Sequence, residues 1–156
     1  MFDTIVWATD GSEASDSALP LVTELAGVHG SKIVAVHVNE LFHGRGFGGS
    51  PMLADEDEVK SKIRRQVGDL REAGFEAVFD IVTSQRHDTA ELIAEQAAKV
   101  GAELIVVGTH GRGMAASMVL GSVANGLNHA ALCPVLSVPP TWSETPASLS
   151  IERALA

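Results

Sequence analysis

Residues 104–122 read LIVVGTHGRGMAASMVLGS, and how this stretch is parsed decides the fold. Leu104-Ile105-Val106-Val107 has no polar face, as expected of a strand covered on both sides of a sheet. The strand, taken as Glu103–Val107, stops at a cluster of small residues, and helical patterning resumes at about Ser122. Strand, glycine-rich turn and helix in succession make one part of a β-α-β alternation. The rest of the chain is therefore read for the same rhythm.

It is found on both sides. Thr4–Ala8 (TIVWA) is a buried strand that ends at the turn cluster Thr9-Asp10-Gly11-Ser12. Ala14, Ala18, Leu21, Val22 and Leu25 recur with helical period, so a helix runs to about Gly27, kinked or started late by Pro20. Lys32–Val38 is the second strand, and residues 39–54 read as irregular and glycine-rich. From Asp55 the acidic quartet DEDE precedes Lys60, Lys62, Arg64 and Arg65. Val59, Ile63, Val67 and Leu70 form one apolar stripe, which makes an amphipathic helix with its charges arranged to suit the dipole. Glu76–Val82 is the third strand, and Asp88 with Glu91 is a capping-box-like start for a helix through Leu92, Ile93 and Ala97. Pro134–Val138 is the fifth strand. The order predicts an α/β fold: one doubly wound, five-stranded parallel sheet with helices on both faces, Rossmann-like, in strand order 3-2-1-4-5. Reversal of winding between strands one and four opens a crevice at their carboxyl ends, where the Thr9–Ser12 turn and the 108–122 loop should meet.

Composition narrows the partners. Of 156 residues, 46% are hydrophobic and 20% charged, the balance of a soluble globular protein. Twenty acids against eleven bases give a net charge of −9. Such a surface repels nucleic acid and anionic membrane, so any bound anion must be held by a local device. Cys133 is the single cysteine, read as a small buried hydrophobe, and no metal-ligand spacing is present. The start MFDTIVWATDG carries no basic leader, which makes the cytoplasm the expected compartment. The segment 140–156, rich in proline and small polar residues, is read as a tail beyond a domain at 1–139, more flexible than packed, with Trp142 a candidate contact.

Three glycine patterns compete for an anion. Gly44-Arg45-Gly46-Phe47-Gly48-Gly49 fits G-x-G-x-x-G, but it lies beyond its strand and leads into Ser50-Pro51, read as no helix start. Gly111-Arg112-Gly113-Met114-Ala115-Ala116 fits the variant ending in Ala, yet no ribose-binding acid follows at the right distance. Gly108-x2-Gly111-x9-Gly121-Ser122 is the third. Gly108 and Gly111 let backbone N–H groups approach an oxyanion, and the helix opened by Gly121 and Ser122 offers free N–H groups and a positive dipole end that suit a phosphate. Ser122 offers a hydroxyl, and His110 or Arg112 offers charge. Spacing alone leaves a second reading standing, in which the glycines make a turn and Ser122 caps a helix.

With these motifs the chain resembles the universal stress protein family, of the adenine-nucleotide-binding type. Gly108, Gly111, Gly121 and Ser122 meet that family's glycine pattern in full, and TIVWATDGSEAS, ELIVVGTHGRG, VLGSV and CPVLSVP extend the similarity over about residues 2–139. The resemblance implies a homodimer through the last strand, Pro134 to Val138. It also implies ATP, with Mg2+ arriving alongside it, or else AMP or cyclic AMP. Ribose and first phosphate are expected near Ala8, Thr9 and Asp10, and adenine at the main chain of Val38. The phosphates are expected at Gly108, Thr109, His110, Gly111, Arg112, Gly121, Ser122 and Val123. Ala8 departs from the proline that some ATP-binding members carry there.

From Gly108 to Ser143 there is no Asp or Glu, so the loop brings no carboxylate to orient an attacking water. The sequence fits a nucleotide-binding regulator in stress response better than an efficient ATPase. A slow ATPase or phosphotransfer enzyme using His110 is one alternative, and a ligand-independent dimeric scaffold is the other. His37 alternates within its strand and reads as a packed neutral residue. His29, His43, His87 and His129 have no metal spacing and read as surface or turn residues.

Overall fold

A computed structural model describes residues 1–40, 51–84, 89–110, 120–140 and 142, with the backbone alone at 40, 51–55 and 84. The strands are β1 (Thr4–Ala8), β2 (Lys32–Glu40), β3 (Ala77–Ser84), β4 (Leu104–Gly108) and β5 (Val135–Val138). All pairings are parallel and the order is β3-β2-β1-β4-β5, as the alternation predicts. The first strand is central because both of its faces are apolar: Ile5, Val6 and Trp7 are each 0% exposed.

The two-residue side-chain period of the strands divides the core in two. Ile5, Trp7, Ile33, Ala35, Leu104 and Val106 face α2 (Leu19–His29) and α3 (Pro51–Glu72), whose Val22, Ala26, Val59, Ile63, Val67 and Leu70 cover them. Val6, Ala8, Val34, Val36, Ile105 and Val107 face α4 (Thr89–Lys99) and α5 (Ser122–Ala130) through Ile93, Ala94, Ala97, Ala124 and Leu127. Helices on both faces make the sheet doubly wound.

Several boundaries differ from the sequence reading, each for a local reason. The first helix splits into α1 (Glu13–Asp16) and α2, with Pro20 in the first turn of α2, where its missing N–H costs nothing. The second piece runs past Gly27 to His29 and ends where Gly30 takes φ 69° and donates its N–H to the Ala26 carbonyl. The third helix begins at Pro51, not Asp55, so a helix does start after Ser50 and the DEDE quartet lies beyond its first turn. The Gly44–Gly49 pattern, Asp88, His43 and His87 lie outside the described residues.

Trp142 sits against the first core cluster, and its backbone N–H donates to the Pro139 carbonyl at 2.9 Å. At this residue the tail is therefore docked, contrary to the flexible-tail reading, because a large indole gains more from apolar contact than it loses in chain entropy. Cys133 is partly buried against the second cluster, and burial raises its thiol pKa. A raised pKa lowers the thiolate fraction at neutral pH. Alkylation by iodoacetamide at pH 7 is thus expected to run several-fold slower than in urea-unfolded protein at the same pH, read by mass spectrometry.

Candidate functional site

The turn after β1 is built by short side chains bonding to their own backbone. Ser12 caps α1, accepting the Ser15 N–H at 3.2 Å, and the Asp10 Oδ1 accepts the Ser12 N–H at 3.0 Å and its hydroxyl at 2.5 Å. Thr9 is 5% exposed. Its hydroxyl pairs with the Ser15 hydroxyl at 3.0 Å and accepts the Gly11 N–H at 3.1 Å. The Thr9 side chain therefore shapes the turn from inside. Beneath it the Trp7 indole N–H donates to the Ser15 carbonyl at 3.1 Å.

Helix α3 holds this turn from the side. The Lys62 ammonium donates to the Gly11 carbonyl at 2.7 Å and pairs with the Asp16 carboxylate, which also accepts from the Gln66 amide at 2.9 Å. Higher in α3, Glu56 meets the Nε2 of His37, whose Nδ1 reaches the Thr9 carbonyl at 2.9 Å. His37 is 3% exposed, so the reading of a packed ring stands, with a role in bonding that the sequence did not disclose.

The end of β4 meets this turn. A Cβ on Gly108 would stand 2.6 Å from the Ala14 carbonyl oxygen, which measures how closely α1 lies on the strand. The Thr109 N–H donates to the Val138 carbonyl at 2.9 Å, and the Thr109 hydroxyl pairs with the His110 Nδ1 at 2.9 Å. Across the loop the Gly121 N–H donates to the Thr109 carbonyl at 2.6 Å, and Gly121 becomes the N-cap of α5. That N–H is therefore spent on the Thr109 carbonyl. Among the described residues, no side-chain hydrogen bond caps α5. The first intrahelical bond is Asn125 N–H to the Gly121 carbonyl, so the amides of Ser122, Val123 and Ala124 have no acceptor within the helix.

The structure thus places Ala8, Thr9, Asp10, Gly108 and Thr109 where β1 and β4 end, with Val38 beside them on β2. Gly121, Ser122 and Val123 sit at the helix start tied to Thr109. Gly111 and Arg112 lie outside the described residues. Ser122 and Val123 also line a cavity of about 630 Å³ with Thr89, Glu91 and His129. Its described lining is drawn from α4 and α5 and includes none of Ala8, Thr9, Asp10, Gly108 or Thr109. Ser15, His37, Glu56 and Lys62 were not singled out as site residues, and only the alternation placing His37 on the Trp7 face hints at one of them.

Removing the Ser12 hydroxyl (Ser12→Ala) strips α1 of its cap and Asp10 of one donor. A loss of about 1 kcal/mol is expected, read as a fall in thermal midpoint of about 2–4 °C.

The profile of the universal stress protein family matches residues 1–139. A universal stress protein of Thermus aquaticus is 32% identical over 145 residues, covering 88% of this chain and 99% of that protein. One of Mycobacterium tuberculosis is 29% identical over 127 residues, covering 81% of this chain and 42% of its own length. The chain thus spans less than half of the mycobacterial relatives it matches. Among solved structures, a universal stress protein family member from Burkholderia pseudomallei is 31% identical with TM-score 0.66, covering 88% of this chain and 96% of that one. An Arabidopsis thaliana family protein with AMP bound superposes with TM-score 0.63 at 20% identity, covering 92% and 95% of the two chains. A universal stress protein in complex with cAMP does so with TM-score 0.66 at 22%, covering 88% and 97%. No described helix is long and apolar enough to cross a membrane.

Proposed function

The chain belongs to the universal stress protein family, and from that premise we propose that it is an adenine-nucleotide-binding regulatory protein of the stress response, with residues 1–139 as the binding unit. The observation that carries the reading is the start of α5. Ser122, Val123 and Ala124 present amides without an intrahelical acceptor, and among the described residues no side-chain hydrogen bond caps the helix. In a chain of net charge −9 these amides and the helix dipole are the kind of local device a phosphate needs.

The phosphates take the Ser122 and Val123 amides and the Ser122 hydroxyl, with His110, Gly111 and Arg112 as the further phosphate contacts that the family resemblance implies. Ribose and first phosphate lie by Ala8, Thr9 and Asp10, and the base meets the Val38 main chain. ATP, with Mg2+ carried in by its phosphates, is the first ligand to test, and AMP and cyclic AMP are the alternatives that two structural neighbours suggest. The protein acts in the cytoplasm, where a lone cysteine stays reduced. It does so as a homodimer through β5, which is paired on one side by β4 and follows Leu132, a residue 88% exposed.

Two measurements test the site. Mass spectrometry of small molecules released from gently purified protein is expected to find an adenylate. Calorimetric titration is expected to show ATP, AMP or cyclic AMP binding with micromolar affinity, about −8 kcal/mol. Failure of every adenylate to bind would remove the proposal.

A further inference from the structure

The β1–β2 ladder stops one step short of where its register would carry it. Even-numbered residues of β2 turn their N–H groups toward β1: Lys32 donates to the Asp3 carbonyl at 2.9 Å, and Ala8 stands opposite Val36. The Thr9 N–H still reaches the Val36 carbonyl at 3.0 Å. Continuing the parallel pattern would set Asp10 opposite Val38, with the Val38 N–H on the Thr9 carbonyl and the Gly11 N–H on the Val38 carbonyl. Neither bond is made among the described residues, and both lost partners are accounted for. The Thr9 carbonyl accepts from the His37 Nδ1 at 2.9 Å, and the Gly11 N–H is taken by the Thr9 hydroxyl at 3.1 Å.

We propose that His37 is a positioning residue of the base subsite, its imidazole occupying the Thr9 carbonyl in place of the Val38 N–H. The Val38 main chain is thereby left as an adjacent donor and acceptor for a purine edge. The proposal rests on the nucleotide reading above and adds how that edge is exposed. Carbonyl oxygens only accept, so Nδ1 donates to Thr9, and the Nε2–Glu56 contact, with one proton held between its two atoms, fixes the ring plane. Glu56 lies on α3, so the setting of that helix is transmitted through one ring to the carbonyl of Thr9. A strand carbonyl left without a donor would draw the Val38 N–H back and close the ladder. Adenine offers an amine beside a ring nitrogen, which complements a backbone C=O next to an N–H.

Isosteric variants separate positioning from packing. His37→Asn keeps an amide nitrogen near Nδ1 and loses the reach to Glu56, whereas His37→Gln reaches Glu56 and abandons Thr9. AMP affinity is expected to fall by about tenfold in His37→Gln and to stay within about threefold of wild type in His37→Asn, at comparable thermal midpoints. Hydrogen exchange without ligand gives the second readout. The Val38 amide of the wild type should exchange far faster than that of Val36, and His37→Gln should protect it. Equal affinity losses that track stability in both variants, or a protected Val38 amide in the ligand-free wild type, would overturn the proposal. If the wild type binds no adenylate, the nucleotide reading itself fails. Normal wild-type binding with unchanged affinity in His37→Gln sinks the positioning role alone.

Discussion

Gly121→Val is expected to weaken adenylate binding by at least a hundredfold while leaving the far-UV circular dichroism of the fold in place. A Cβ at residue 121 would stand 2.9 Å from the Thr109 carbonyl oxygen, the atom that accepts the Gly121 N–H at 2.6 Å, and 3.6 Å from the His110 Cα. The neighbouring atoms are backbone, so no side-chain rotation relieves the contact. The helix start must move, and it carries the Ser122 and Val123 amides away from the position proposed for the phosphate. Hydrogen bonds to a charged group contribute about 1.5–3 kcal/mol each, so misplacing two removes about 3–6 kcal/mol, or two to four decades in affinity. The clash begins at Cβ, and alanine at this position should therefore already show most of the loss. Calorimetry with ATP and AMP on Gly121→Val and Gly121→Ala decides it. Wild-type affinity in either would mean that the helix start holds no phosphate.

The sheet was legible because its signal is local and redundant. Each strand is a short apolar run, and a parallel core needs no polar face to be found along the chain. Thr4–Ala8 has the bounds read from the sequence, and Glu103–Val107 is shifted by one residue from β4, which takes in Gly108 and leaves out Glu103. Helix ends were less clear, since each depends on one backbone angle. Gly27 and Gly30 are equivalent in sequence, and only the left-handed turn at Gly30 shows which stops α2. Proline at residue 51 could end a loop or open a helix, and it opens α3. Of the site, the glycine pattern and the Thr9–Ser12 turn were visible because they are contiguous. The contacts of Lys62 with Gly11, Glu56 with His37, and Ala14 with Gly108 join separate elements, and no spacing rule along the chain announces them. The occupied N–H of Gly121 was hidden for the same reason.

Gly108→Ala addresses the choice that spacing left open, between a glycine kept to expose an amide and one kept for packing. We expect it to destabilise nucleotide-free protein by about 3 kcal/mol, the upper end of an overpacked core site, and to lower the thermal midpoint by about 6–12 °C. The added methyl would lie 2.6 Å from the Ala14 oxygen, 3.0 Å from its carbonyl carbon and 3.2 Å from the His110 oxygen. None of these atoms can swing aside. Ala14 could retreat only with α1, and that four-residue helix is pinned by the Ser12 cap, by Trp7 donating to Ser15, by Thr9 pairing with Ser15, and by Lys62 on Asp16. Relief at residue 108 therefore costs one or more of those contacts, or else separates β4 from β1. Urea unfolding without nucleotide is the measurement that discriminates. A glycine held only for a phosphate would leave wild-type stability in the empty protein, whereas a glycine demanded by α1 shows its full cost before any ligand is added.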